Sequence, residues 1–202
     1  MIRETSYNEV FDSQKHFRLI MDSMARPGKL NQLNGVAIHP PKGLNKAAAF
    51  VGLALLNADV SYYTSSNPEA VSDYFITNTD SQQRSATEAD FLFLKGNDNP
   101  QALEEAKVGS LSYPETSAFI IIEVEEISKE PVSGAVVLVL KGPGVKEEEV
   151  VFVKGIREEL LTTIQDKNTE YPLGVDTILT DAHDNILCLP RSNLFLFKSM
   201  SQ

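Results

Sequence analysis

The segment from Leu44 to Ala58 constrains this chain most, because it is apolar on nearly every face. A surface helix carries its apolar residues as one stripe, so a helix apolar all round has to sit between layers. The segment is expected as the central helix of a layered fold. Its longest apolar stretch, Ala47 to Leu56 read through Gly52, is half of the ~20 residues that span a bilayer, so no membrane partner is expected.

Two other runs, Ala118 to Val124 with Phe119-Ile120-Ile121-Ile122 and Ala135 to Leu140, suit strands covered on both faces. Both are expected at the centre of a sheet. A helix is expected from Ser13 to Met24, with Asp12 as N-cap and Phe17, Ile20, Met21 and Met24 sharing one buried stripe until Pro27-Gly28 ends it. Val60 to Thr64 reads as a strand, Asn67-Pro68 opens a helix, and Thr77 to Ala86 reads as a loop. Ala89 to Leu94 is a strand, Asn99-Pro100 opens a short helix through Lys107, Val150 to Val153 is a strand and Ile156 to Ile164 a helix. Val175 to Thr180 and Ile186 to Leu189 form a C-terminal antiparallel hairpin about the turn-rich Asp181 to Asn185. The alternation is that of an α/β protein. With no repeat or linker, residues 1–202 read as one domain. A two-residue turn at His183-Asp184 sets Asp176 opposite Arg191 as an ion pair; a longer turn shifts the register by one.

Charge narrows the function. Lys and Arg number 18 against 28 Asp and Glu, a net charge of -10 that repels phosphate polymers, so nucleic acid is not an expected partner. A local basic pocket still binds one small anion, because salt screens distant carboxylates over ~8 Å. Arg18 and Arg26 flank the end of the first helix and Arg191 follows the last hairpin strand. Their planar guanidinium groups suit phosphonate or triphosphate oxygens, which makes these three the candidate substrate- or anion-binding residues; pairing with surface carboxylates is the plainer alternative.

No catalytic residue emerges. The histidines His16, His39 and His183 are scattered, and Asp181-x-His183-Asp184 lies in a turn that wants such residues for its backbone, so no metal is expected. Lys154 is the nearest Schiff-base candidate and reads as a strand end. Gly142-Pro143-Gly144 reads as a turn rather than a phosphate loop, since Pro143 removes an amide donor and Glu147-Glu148-Glu149 follow. The single cysteine, Cys188, among Ile186, Leu187 and Leu189, reads as inert core, and one thiol forms no internal disulfide. Met1 to Ser6 lacks an apolar signal core, and a reducing cytoplasm fits both observations.

Four blocks taken together resemble the PhnH family of the bacterial carbon-phosphorus lyase system, which degrades phosphonates. They are Phe17 to Met21 with Met24 and Arg26-Pro27-Gly28; Leu140-Lys141-Gly142-Pro143-Gly144-Val145; Tyr171-Pro172-Leu173-Gly174-Val175-Asp176 with Ile178 to Thr180; and Leu189-Pro190-Arg191-Ser192. Their order covers almost the whole chain, and the family's Phe, Ile and threonine pair are replaced at Tyr171, Val145 and Ser192-Asn193. Pro27, Gly28, Gly142, Gly144, Gly174, Asp176 and Pro190 are thereby structural motif residues. The resemblance implies a three-layer α/β/α fold with a mixed sheet, similar to the pyridoxal-phosphate-dependent transferases but without their cofactor. It also implies an accessory role with sibling subunits G, I and L in replacing the adenine of ATP by an alkylphosphonate. Subunit J then breaks the carbon-phosphorus bond with an iron-sulfur cluster that one cysteine could not hold. No cofactor and no catalytic residue carries over. A homodimer is expected for the chain alone, exchanged for a sibling subunit in the complex, since the apolar runs need cover.

Overall fold

The computed structural model describes residues 3–199; Met1 and Ile2, the start of the segment inspected for a leader, lie outside them. The described residues fold into two sheets flanked by helices. Along the first half run α1 (Phe11–Ala25), β1 (Asn31–Gln32), α2 (Lys46–Leu55), β2 (Ser61–Thr64), α3 (Pro68–Thr79), β3 (Gln82–Gln83), β4 (Phe91–Lys95) and α4 (Gln101–Glu105). Then come β5 (Phe119–Glu123), β6 (Glu126–Ser128), β7 (Val136–Lys141), β8 (Glu149–Lys154), α5 (Glu158–Lys167), β9 (Asp176–Thr180), β10 (Asn185–Leu189) and β11 (Leu194–Ser199).

The larger sheet has the order β1-β10-β9-β5-β4-β2-β3 and is mixed: β9, β5, β4, β2 and β3 are parallel, while β10 and β1 join antiparallel. Ile120, Ile121 and Ile122 of β5 are wholly buried at its centre. Ile121 faces one apolar cluster with Phe93, Ile178 and the helices α1, α2 and α3; Ile120 and Ile122 face a second with Leu138, Val151, Leu103 and Leu160. The helix α2 is the central one expected, buried continuously from Ala47 to Leu53, and Asn45 caps it by accepting from the Ala48 amide at 2.7 Å.

The layering differs from the expected α/β/α. The third layer is a separate antiparallel sheet, order β11-β7-β8-β6, together with α4 and α5. The run Ala135 to Leu140 therefore lies in this smaller sheet and not beside β5, because the Gly142-Pro143-Gly144 turn folds β7 back onto β8 and β11 returns along its other side. Burial along β7 alternates: Val136, Leu138 and Leu140 point into the core, Val137 and Val139 away from it.

Three smaller expectations also move. In α1 Asp12 lies inside the helix; Asn8 does the capping, its side chain accepting from the Val10 and Phe11 amides at 3.0 and 2.9 Å. The buried face of α1 is His16, Ile20 and Ser23, leaving Phe17 and Met21 45% and 51% exposed. The polar stretch from Thr77 continues α3 to Thr79 and then forms β3. The C-terminal hairpin forms, with Ile186 opposite Thr180 and Leu189 opposite Thr177. That is the shifted register, because Ala182, His183 and Asp184 all sit in the turn and Asp184 adopts φ 63°.

Candidate functional site

The three candidate arginines have three different fates. Arg191 still meets Asp176 despite the shifted register, since it lies just past β10 and reaches back. Its backbone amide donates to Asp176 Oδ1 at 2.8 Å, and Nε and Nη2 donate to Oδ2 at 3.0 and 2.7 Å. The other donors go to the Pro114 and Pro172 carbonyls at 3.0 and 3.4 Å and to Ser117 Oγ at 2.5 Å. With its side chain 15% exposed and its donors engaged, this guanidinium clamps three loops and presents nothing to an outside anion.

Arg26 stands where two of the sequence motifs meet. Pro27-Gly28 at the end of α1 packs on the Gly142-Pro143-Gly144 turn so closely that a Cβ on Gly144 (φ +80°) would run into the Ala25 carbonyl, and one on Gly28 (φ +94°) into Glu149. Glycine is required at both by positive φ and by contact. Asn193 fastens the turn by donating to the Lys141 and Pro143 carbonyls at 3.3 and 2.9 Å. Beside this junction opens a cleft of about 460 Å³, lined by Arg26, Lys29, Lys129 and Lys146, with Glu149 the single carboxylate. Asp22, just outside it, pairs with Arg26 and with Lys29 at 2.7 Å, and Glu149 pairs with Lys129. Lys146 has no ion-pair partner among the described residues. Arg18 lines an adjoining hollow of about 450 Å³ with Phe11 and Lys15, and Lys29 borders both.

The site so assembled gathers four cationic side chains around one carboxylate. Of its cations, sequence reasoning found Arg26 and missed Lys29, Lys129 and Lys146. Lys29 follows the Arg26-Pro27-Gly28 block directly, a signal that was there to find, whereas Lys129 arrives through the pairing of β6 with β8.

The remaining titratable groups read as structure. Burial pushes the Cys188 thiol well above its ordinary range, which keeps it protonated. Burial also raises the Glu123 carboxyl at the end of β5, opposed by Lys95 at 2.7 Å and the Asn45 amide at 2.8 Å. The His16 imidazole is lowered by burial, 4.4 Å from the Phe50 ring. Asp181 organises the hairpin turn, accepting from the His183 and Asn185 amides at 2.8 and 3.0 Å and from the Ile127 amide of β6 at 3.0 Å. Lys154 pairs with Glu125 at 3.7 Å. Among the described residues no group of three or more His, Cys, Asp or Glu is placed to hold a metal, and no helix is long and apolar enough to cross a membrane.

Comparison with known proteins places these motifs in context. Residues 5–195 match the family described as "Bacterial phosphonate metabolism protein (PhnH)". The "Alpha-D-ribose 1-methylphosphonate 5-triphosphate synthase subunit PhnH" of Rhizobium meliloti (strain 1021) is 31% identical over 192 residues, covering 91% of this chain and 90% of that protein. The "Putative C-P lyase subunit protein HtxG" of Stutzerimonas stutzeri is 28% identical over 180 residues, covering 89% of this chain and 83% of that protein.

Proposed function

Since the chain belongs to the PhnH family of bacterial phosphonate metabolism proteins, we propose that it is an accessory subunit of a cytoplasmic carbon-phosphorus lyase assembly. In this reading it acts with sibling subunits G, I and L in moving the ribose triphosphate of ATP onto an alkylphosphonate with release of adenine, ahead of subunit J. It carries no catalytic residue, metal or cofactor of its own. A three-layer likeness to the pyridoxal-phosphate-dependent transferases, as one domain without a Schiff-base lysine, belongs to the same reading.

The observation that carries it is the outer face of the four-stranded sheet. Register puts Leu196, Val139 and Val150 in one row across that face and Val137 beside Phe152 in the next. With Leu194 these are six apolar side chains, Leu194 and Leu196 being 77% and 64% exposed and Val150 41%. Lys141 with Glu148 at 2.5 Å, Lys198 and Ser128 make a polar rim. An apolar centre inside a polar rim is the anatomy of a protein interface. The occupant in the assembly is a sibling subunit, as the names of both relatives suggest; the isolated chain uses the same face to form a homodimer.

The test is co-expression of the tagged chain with subunits G, I and L. Retention of the siblings, with adenine release from ATP and methylphosphonate only by the full set, is expected. Adenine release by this chain alone would make it a stand-alone transferase, and failure to retain any sibling would remove the accessory role.

A further inference from the structure

We propose that the cleft between the end of α1 and the β7–β8 turn is a binding site for an extended polyphosphate, the chemistry of a nucleoside triphosphate tail. The proposal rests on the subunit reading for its biological substrate and on the cleft alone for its chemistry. Four cations line one cleft with one carboxylate, on a chain whose net charge is -10. They come from three separate elements: Arg26 and Lys29 from the end of α1, Lys129 from just after β6, and Lys146 from the turn. A lone phosphate engages one wall of such a cleft, whereas a chain of phosphates meets both. The acidic residues that follow the turn are largely answered, Glu148 by Lys141 at 2.5 Å and Glu149 by Lys129. Asp22 holds Arg26 and Lys29 at the mouth, and Lys146 stands without an internal partner among the described residues. The close approach of Gly144 to Ala25 and of Gly28 to Glu149 fixes the two walls together, so the cations are presented on a preorganised frame.

Isothermal titration of the full-length isolated chain with inorganic tripolyphosphate tests this, with inorganic phosphate and ATP as comparison ligands. Tripolyphosphate and ATP are expected to bind at one site, and phosphate at least about tenfold more weakly, as loss of one or more charge-assisted contacts implies. Lys146→Ala and Arg26→Ala should each weaken tripolyphosphate by about tenfold, the scale of one such contact, with Kd rising steeply with salt. Glu149→Gln should tighten it by removing the carboxylate from the cleft, and Arg84→Ala, exposed just past β3 at the far edge of the larger sheet, should change nothing. Equal affinity for phosphate and tripolyphosphate, indifference to Lys146→Ala and Arg26→Ala, or no saturable binding would each overturn the inference. Because the titration uses the isolated chain, these outcomes are independent of whether siblings are retained, which judges the subunit reading.

Discussion

The strands β5 and β7 begin from sequences of the same kind, Phe-Ile-Ile-Ile-Glu and Val-Val-Leu-Val-Leu-Lys, and end in opposite situations. β5 lies between β9 and β4 with apolar clusters on both sides, so its isoleucines are shielded whichever way they point. β7 lies between β11 and β8 with a core on one side, so Val137 and Val139 join Val150, Phe152, Leu194 and Leu196 on a face that no layer among the described residues covers. An unbroken apolar strand tells how much cover is needed and not who supplies it. In β5 the chain supplies it; in β7 the proposed subunit reading assigns it to a partner.

Five substitutions sharpen that contrast. Ile121→Ala should lower stability by about 2–5 kcal/mol in denaturant unfolding, since it opens a cavity between fully covered layers. Arg191→Ala should cost about 3 kcal/mol by the same measurement, leaving Asp176 Oδ2 and the Pro114 and Pro172 carbonyls without their guanidinium donor at the end of the larger sheet. Gly144→Ala should cost about 1–3 kcal/mol, because a Cβ at positive φ meets the Ala25 carbonyl where the smaller sheet touches α1.

The fourth concerns pH. Burial holds the folded-state value of His16 below its ordinary 6.5, so the unfolded chain takes up the proton first. Stability from this group is complete above pH 6.5 and declines as the pH falls below it; His16→Gln should flatten that slope in a pH series of melts. Smallest on the isolated chain is Leu196→Thr, at a side chain 64% exposed, within about 0.5 kcal/mol of wild type as for other surface positions. The same substitution should weaken retention of sibling subunits, and a loss of several kcal/mol in the isolated chain would show the face to be internally covered after all.

Much of the closed half was legible. α2 is apolar all round because it is surrounded, β5 is apolar because both its faces are covered, and the β9–β10 hairpin announced itself through Asp181 to Asn185. The buried face of α1 was hidden because two of its three residues are polar. Ser23 Oγ accepts from Asn31 Nδ2 at 2.9 Å, and His16 contacts the Asn34 carbonyl at 3.3 Å, so hydrogen bonds replace the apolar signature that counting relies on. Those bonds displaced Phe17 and Met21 to the outside. At the candidate site Arg26 was visible beside Pro27-Gly28, while Lys129 and Lys146 gain meaning only once β6, β7 and β8 are paired.

The central claim is that the outer face of the four-stranded sheet is completed by another chain. Hydroxyl-radical footprinting read by mass spectrometry tests it most directly, on the chain diluted to monomer and on the purified assembly. The account predicts that Val139, Val150, Phe152, Leu194 and Leu196 oxidise readily in the monomer and fall to the level of Ile121 in the assembly, with Ile121 unchanged. Equal oxidation of those five residues in both states would contradict it.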